Sequence, residues 1–451
     1  MSVRIIKLLA LALINAAVYN LVYVFYLHEI FAYADFRYEA TSHLYLFWTY
    51  LIAALPIVAT RKSNSPSAIG GVLIYVLSYV PIQLTLTFMW AEKTAELFSV
   101  QILLALSMVA LFRSSIPSRI RQVDWDVNKL FSLRLESIAV IIHILTSIGL
   151  VLTIIEFHSI MRLVSFANVY DLRSETDSVS ASMSTQYLMM WMTYCFGPFY
   201  IARGIYQGRK LDWFVGGVIF MVMYAVSGSK IALLTPLFMV GINYIDGGRT
   251  GFAIRLMAMV ATFSLLILLV IPNEGIARWI SSIILMRIFG SNGWVAAVYY
   301  EYFSNHALTF YSHIGPINAL IDAYPYGSNS LGQEIAQYYF SNDANFNAGF
   351  WASDGFAAMG MYGVPVVTAF LAIFMRTFDR LAIHYPARFI NLWMVGFWMV
   401  LINAPFTTAL LSGGGLLIAI FLWVARLFDR RKLSRRLATN SSNNIKTNEF
   451  A

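Results

Sequence analysis

Twelve apolar runs, each close to the ~20 residues that a membrane-crossing helix needs, leave this 451-residue chain little freedom in what it can fold into. They centre near residues 16, 52, 78, 104, 146, 196, 219, 238, 261, 367, 398 and 420. In lipid every backbone N–H and C=O must find its partner inside the protein, so runs of this length fold as helices. Only 12% of the residues are charged, against roughly 25% in a soluble domain, and 59% are hydrophobic. The expected fold class is all-α, a polytopic transmembrane bundle of about twelve spans with both termini on one side.

Lys and Arg fix the orientation, because cytoplasmic segments accumulate them. With Met1 inside, the inner segments hold 24 of the 31 basic and 8 of the 23 acidic residues, a balance of +16. The outer segments keep seven basic residues, Arg37, Lys93, Arg162, Arg173, Lys230, Arg278 and Arg287, against 15 acidic ones, a balance of −8. The net charge of +8 therefore reports topology and carries no implication of nucleic-acid binding. The first run follows Arg4 and Lys7 without a small-residue cleavage site before Phe31, and reads as a retained anchor. Cys195 is the only cysteine, which excludes a disulfide framework and a cysteine-based metal site.

This reading divides the chain into residues 1–272 with nine spans, an extracytoplasmic segment 273–356, residues 357–428 with three spans, and a basic, then disordered, cytoplasmic tail 429–451. Two further connections are long. The inner one, Arg113 to Glu136, reads as an interfacial helix, and the outer one, Glu156 to Gln186, runs through the polar stretch DLRSETDSVSAS. Within 273–356, RWISSIILMRIFG reads as a helix on the outer face ending near Gly290, with Arg287 on the face of Ile280, Ile283 and Ile284 and Arg278 on the face of Ser281 and Ser282. SLGQ after Gly327 has the form of a capping box at the start of a second short helix.

The chemistry-bearing residues gather on the outer side. Lys230, in SGSK, sits where one span ends and the next begins, so its ammonium and the new helix's N-terminal amides suit a phosphate; it would equally serve as a snorkelling helix-end lysine. Arg287 on an apolar face needs an anionic partner, either a ligand or a carboxylate such as Glu274 or Glu301. Arg278, Arg162 and Arg173 lie more freely in loops, as solvated charges or as further contacts for a bulky anion. His306 and His313 lie seven apart in NHALTFYSHIGP, and a neutral imidazole can take a proton from a sugar hydroxyl near neutral pH; either could instead be bonded to backbone carbonyls. Glu301, Asp322, Glu334, Asp343 and Asp354 compete for the same role. His143, in mid-span, reads as a packing or hydrogen-bonding residue rather than a proton relay. Trp294 to Trp351 holds 15 aromatic residues in 58 positions, 26% against 16% for the chain, interleaved with asparagines. Rings with polar rims and amides suit the CH faces and hydroxyls of a sugar, while an interfacial aromatic belt would account for part of them. Walker, HExxH, GxSxG and dinucleotide signatures are missing from the sequence.

In its many-span layout, in SGSK followed by IALLTPL, in its late outer segment and in the exit FWASDGFAAMGMYG, the chain resembles the Wzy-type O-antigen polymerases, bacterial inner-membrane glycosyltransferases. That family usually has Arg where this chain has Lys230, so the charge is kept while the two-pronged fork becomes a point charge. The resemblance implies polymerisation of undecaprenyl-pyrophosphate-linked oligosaccharide repeat units without nucleotide, metal or other cofactor. It gives the pyrophosphate to Arg287 and Lys230 and the acceptor hydroxyl to His313, with Arg278, Arg162, Arg173, His306, Glu301 and Asp354 as further substrate contacts. The implied partners are the lipid-linked glycans, the bilayer and a chain-length regulator protein. An O-antigen ligase, a flippase of lipid-linked oligosaccharides and a membrane scaffold are the competing readings.

Overall fold

The structure is a computed structural model that describes residues 2–61, 63–116, 127–165, 168–245, 251–270, 274–340 and 345–426. Every described regular element is helical. In chain order they are α1 (Val3–Ile30), α2 (His43–Ala59), α3 (Pro66–Met89) and α4 (Ala91–Ser114), then α5 (Val127–Phe157) and α6 (Val169–Ser178). Next come α7 (residues 183–207), α8 (Lys210–Ser227), α9 (Lys230–Ile245), α10 (Phe252–Val270), α11 (Gly275–Leu285) and α12 (Ser291–Asn305). The chain closes with α13 (Gly315–Ile321), α14 (Leu331–Phe340), α15 (Gly360–Ala382), α16 (Ala387–Asn403) and α17 (Phe406–Arg426).

All twelve expected centres fall on helices. Among the described residues eight helices are long and apolar enough to cross a membrane, nine if a bent pair made of α11 and α12 counts as one span. α2, α9 and α16 are apolar but shorter, and α7, around the expected centre at 196, is not among the eight; these four helices are where the structure departs from a count of twelve. The protein is thus an all-helical membrane protein. Its disordered-tail reading, and positions 117–126 of the expected interfacial helix, lie outside the described residues. Of the rest of that stretch, Arg113 and Ser114 end α4 and residues 127–136 begin α5, and the polar outer stretch DLRSETDS folds as α6.

Local chemistry sets the helix ends. Ser42 Oγ accepts from Tyr45 N at 3.2 Å, Ser65 precedes Pro66 and accepts from Ala68 N, and Ser182 accepts from Thr185 N. Gly208 (φ 70°) and Gly228 (φ 58°) end α7 and α8 in the left-handed conformation that glycine adopts without a Cβ clash. The expected capping box forms at both bonds: Ser330 N donates to Gln333 Oε1 at 2.9 Å and Gln333 N to Ser330 Oγ at 3.4 Å. Two π-helical turns, Tyr75–Tyr79 and Met192–Phe196, stand two residues before Pro81 and Pro198. The widened turn absorbs the proline ring that would otherwise strike the carbonyl one turn back.

The chain separates into two compact units. The first comprises Met1–Ile120, Gly241–Asp379 and Trp398–Ala409. At its centre is α3, 94% of whose spanning window is buried. Polar groups tie its neighbours together: Gln83 and Gln101 exchange bonds at 3.0 and 3.1 Å, Gln101 donates to Thr87 at 2.8 Å, and Tyr19 bonds Thr85. Such bonds hold helices where lipid provides no hydrophobic drive. The start of α3 lies beside Asp379, which accepts from Ser67 N and Ile116 N. Its other end lies beside Glu39 and Trp90. α12 packs along α3, where a Cβ on Gly293 would come within 2.9 Å of the Pro81 carbonyl. The stretch read as an outer helix ending near Gly290 instead continues through the π turn Met286–Gly290 into α12, with a bend of 60°.

The second unit comprises Arg121–Val240, Arg380–Phe397 and Leu410–Ala451. Arg203, 1% exposed, is held there by Glu136 at 2.8 Å and Asp212 at 3.5 Å. His143 bonds Tyr200 through Nδ1 at 2.5 Å and approaches Arg203 through Nε2 at 3.4 Å, a hydrogen-bonding role in agreement with the reading from sequence. Cys195 is buried as a free thiol, and its carbonyl accepts from Trp393 Nε1 at 2.9 Å.

Candidate functional site

The π-helical stretch Trp351–Ala357, in the exit motif FWASDGFAAMGMYG, and the loop before α13 build one buried polar site in the first unit. Thr309 N and Phe310 N donate to the carbonyls of Ala357 and Ala358, both at 2.9 Å, which lays the loop along the end of the π stretch. Asp354 is thereby brought to His313, 41 positions earlier: Oδ1 lies 3.1 Å from Nε2, and Oδ2 accepts from Phe406 N. His313 Nδ1 lies 2.8 Å from Thr309 Oγ1. Asp354 and Thr309 are 1% and 2% exposed, and the His313 side chain 5%.

These partners constrain the protons. An ionised carboxylate only accepts, so Nε2 carries hydrogen and donates to Asp354. The Thr309 hydroxyl has one hydrogen and two candidates for it, His313 Nδ1 and the Ala357 carbonyl at 3.1 Å. With neutral imidazole it donates to Nδ1; with imidazolium it accepts from Nδ1 and donates to Ala357. The Asp354–His313–Thr309 chain is therefore a hydroxyl, a base and an orienting carboxylate in hydrogen-bond succession.

Two observations mark this place as more than a packing solution. Phe310 (φ 45°) and Tyr311 (φ 67°) both lie in the left-handed region, which costs a side chain with a Cβ about 1–3 kcal/mol at sites held by the surrounding fold. The Tyr311 hydroxyl is buried with no hydrogen-bond partner among the described residues. Burial, and then the charge of Asp354, push its phenol up to about 12. The folded pKa lies above the unfolded value near 10, so the neutral phenol contributes stability that is intact below pH 10 and lost as pH rises through 12. Tyr311→Phe is accordingly expected to leave neutral-pH stability equal or slightly higher, since an unpaired buried hydroxyl costs about 1–3 kcal/mol. It should also blunt the alkaline loss of stability between pH 10 and 12, as read from melting curves of the purified protein.

Around the same end of the first unit, cations, carboxylates and rings interleave. Arg37 binds Asp35 through two bonds of 2.7 Å, lies 3.9 Å from Glu301 and stands 5.1 Å from the Trp90 ring centre, with the Lys93 ammonium 5.5 Å from the same ring. Tyr339 donates to Glu301 at 2.5 Å, and burial, then Glu301, raise its phenol well above the ordinary range. Arg278 pairs with Glu29 at 2.7 Å. His306 stacks on Tyr302 at 3.9 Å and holds the Tyr302 carbonyl at 2.8 Å, the backbone-bonded alternative that its sequence context left open. Arg287 is exposed, without an ion pair among the described residues, so the expectation of a buried Arg287 on the packed face is corrected. The packed face of α11 is that of Ser281, Ser282 and Leu285.

In the second unit, Lys230 is the first residue of α9, half-buried, two residues after the left-handed Gly228. Arg173, on α6, reaches the Gly228 carbonyl at 3.5 Å, and Arg162 forms two bonds of 2.6 Å with Glu175. The structure thus brings Arg162, Arg173 and Lys230 into one unit, and Arg278, Arg287, Glu301, His306, His313 and Asp354 into the other. Sequence reasoning missed Thr309, Tyr311 and Arg37. Thr309 had a signal, its spacing of four from His313; the strained backbone at Phe310 and Tyr311 had none.

The fold and the site together define a polytopic, all-helical membrane protein with a buried carboxylate–imidazole–hydroxyl chain at one end of its first unit. No protein-family model, no curated protein and no solved structure matches this chain.

Proposed function

We propose that the protein is a membrane glycosyltransferase that joins undecaprenyl-pyrophosphate-linked oligosaccharide repeat units into O-antigen or a similar surface polysaccharide, on the outer face of the bacterial inner membrane. The observation that carries this reading is the Asp354–His313–Thr309 chain, set in strained backbone beside the unpaired Tyr311 hydroxyl. An acceptor sugar hydroxyl replaces the Thr309 hydroxyl at His313 Nδ1 and gives that nitrogen its proton. Asp354, bonded to Nε2, offsets the imidazolium charge that results. The sugar oxygen then bonds the donor's anomeric carbon, and the carbon–oxygen bond to the pyrophosphate breaks, the electron pair leaving with the phosphate. Arg287, a cation with no carboxylate neighbour among the described residues, takes the departing pyrophosphate in this scheme, and Lys230, in the other unit, is tested separately as a phosphate contact. The rings and asparagines of residues 294–351 supply the sugar contacts.

The test is a lipopolysaccharide gel from a strain lacking the gene, complemented with wild type, Arg287→Ala, Lys230→Ala or His313→Gln. Wild type should restore a ladder that had collapsed to core plus one repeat unit. Arg287→Ala should fail to do so at normal protein level, because losing one charge-stabilising contact costs on the order of 100-fold in rate. An unchanged ladder in the deletion strain would refute polymerisation of this glycan, and core without any repeat unit would assign the protein to ligation or flipping.

A further inference from the structure

The first unit carries a second polar recess, at the end opposite Trp90, near the starts of α1 and α3. Arg4, Thr60, Arg61, Ser63, Asn64 and Ser115 provide its polar wall, and Ile69, Val72, Phe112 and Phe252 its apolar one. It is open to solvent and small, with a cavity volume of about 40 Å³, room for a group of phosphate size and not for a whole small-molecule ligand. Among the described residues two of those lining it are arginines and none is Asp or Glu. Asp379, at the start of α3, is engaged by Ser67 and Ile116 N. Arg61 is fixed in place, its Nη1 donating to the Ser115 carbonyl at 2.9 Å, and Ser63 Oγ donates to the Ile116 carbonyl at 2.6 Å. The Arg4 Nε–H is buried without a partner among the described residues. A guanidinium donor withdrawn from water and left unpaired is costly, and an anion in the recess would satisfy it.

We propose that this recess binds the phosphate of an anionic phospholipid headgroup, with Arg4 and Arg61 on the phosphate and the Ile69, Val72 and Phe112 wall against the glycerol and upper acyl chain. The charge rule puts Arg4 and Arg61 at the cytoplasmic leaflet, where anionic lipid is available to basic pockets between helices. The site is independent of glycosyl transfer. It would tie the helix ends of the first unit to the leaflet opposite the one where the reaction is proposed.

The full-length protein in a neutral detergent, titrated with phosphatidylglycerol and followed by native mass spectrometry, tests it. Wild type should hold one tightly bound phosphatidylglycerol in preference to phosphatidylcholine. Arg4→Gln and Arg61→Gln should each weaken it roughly fivefold, while Lys210→Gln, on an exposed residue of the other unit, should not. Arg61 also holds the end of α4, so Arg4→Gln, which breaks no bond among the described residues, carries the test if Arg61→Gln fails to fold. Unchanged phosphatidylglycerol affinity in Arg4→Gln would overturn the proposal. Displacement of the lipid by equimolar inorganic phosphate or glycerol phosphate would overturn its lipid part and assign the recess to a soluble phosphate compound.

Discussion

Under the proposed glycosyl transfer, Asp354→Ala should abolish long-chain polymer and lower the melting temperature together, whereas Asp354→Asn should abolish polymer with a much smaller loss of stability. The carboxylate does two jobs with separate consequences. It accepts from the Phe406 N–H, which ties the π stretch to the start of α17, and from His313 Nε2, which orients the ring. Alanine leaves both donors buried and unpaired, a cost of about 3 kcal/mol or more for bonds to a charged acceptor. Asparagine can still accept from Phe406 N but presents no charge to balance an imidazolium, so the base weakens while the backbone tie persists. Fluorescence-detected size-exclusion melting in detergent reads the first effect, and the lipopolysaccharide ladder the second. Full polymer from Asp354→Asn would remove His313 from the reaction and leave the pair a structural clamp.

Gly363→Ala should be nearly as damaging although it touches no ionisable group. A Cβ there would stand 2.1 Å from the Gly355 carbonyl oxygen, far inside van der Waals contact, and the obstacle is backbone rather than a side chain that could rotate. Overpacking of this kind costs about 1–3 kcal/mol or more. The displacement would fall on the residue next to Asp354, so the ladder should shorten along with the loss in melting temperature. Gly217→Ala, where nothing lies within 4 Å, is the matched control and should be neutral or slightly stabilising in its helix. Equal melting curves for the two variants would show that the π stretch has slack.

The difference between Arg278 and Arg287 shows where a helical wheel misleads in a protein of this kind. A run of isoleucines marks the buried face of a helix only when the surroundings are water. Beside lipid an apolar face can point outward, and small polar residues can make the packed face. On α11 Ser281 and Ser282 are that face, their hydroxyls bonded to the carbonyls of Ala277 and Arg278 at 2.7 and 2.6 Å, which removes the cost of burying them. The π turn Met286–Gly290 then adds a residue to the helical count exactly where Arg287 sits, so its bearing does not follow from the spacing that precedes it. The 60° bend that turns α12 back along α3 has the same origin, and it converts part of an expected outer loop into packed helix.

By itself the sequence determined the apolar helices, several of their caps, and the residue types available at each end, though not the helix stop read near Gly290. These are local matters: a backbone in lipid must satisfy its own hydrogen bonds, and Ser330 with Gln333, or Gly228 before Lys230, act within one turn. Only the tertiary structure decided which polar groups meet. His313 and Asp354 are 41 positions apart, with α13 and α14 between them, and nothing in either neighbourhood names the other. The pairing arises because loop backbone donors at Thr309 and Phe310 find the carbonyls left open at the end of a π stretch, a match of three-dimensional geometry that no spacing along the chain encodes.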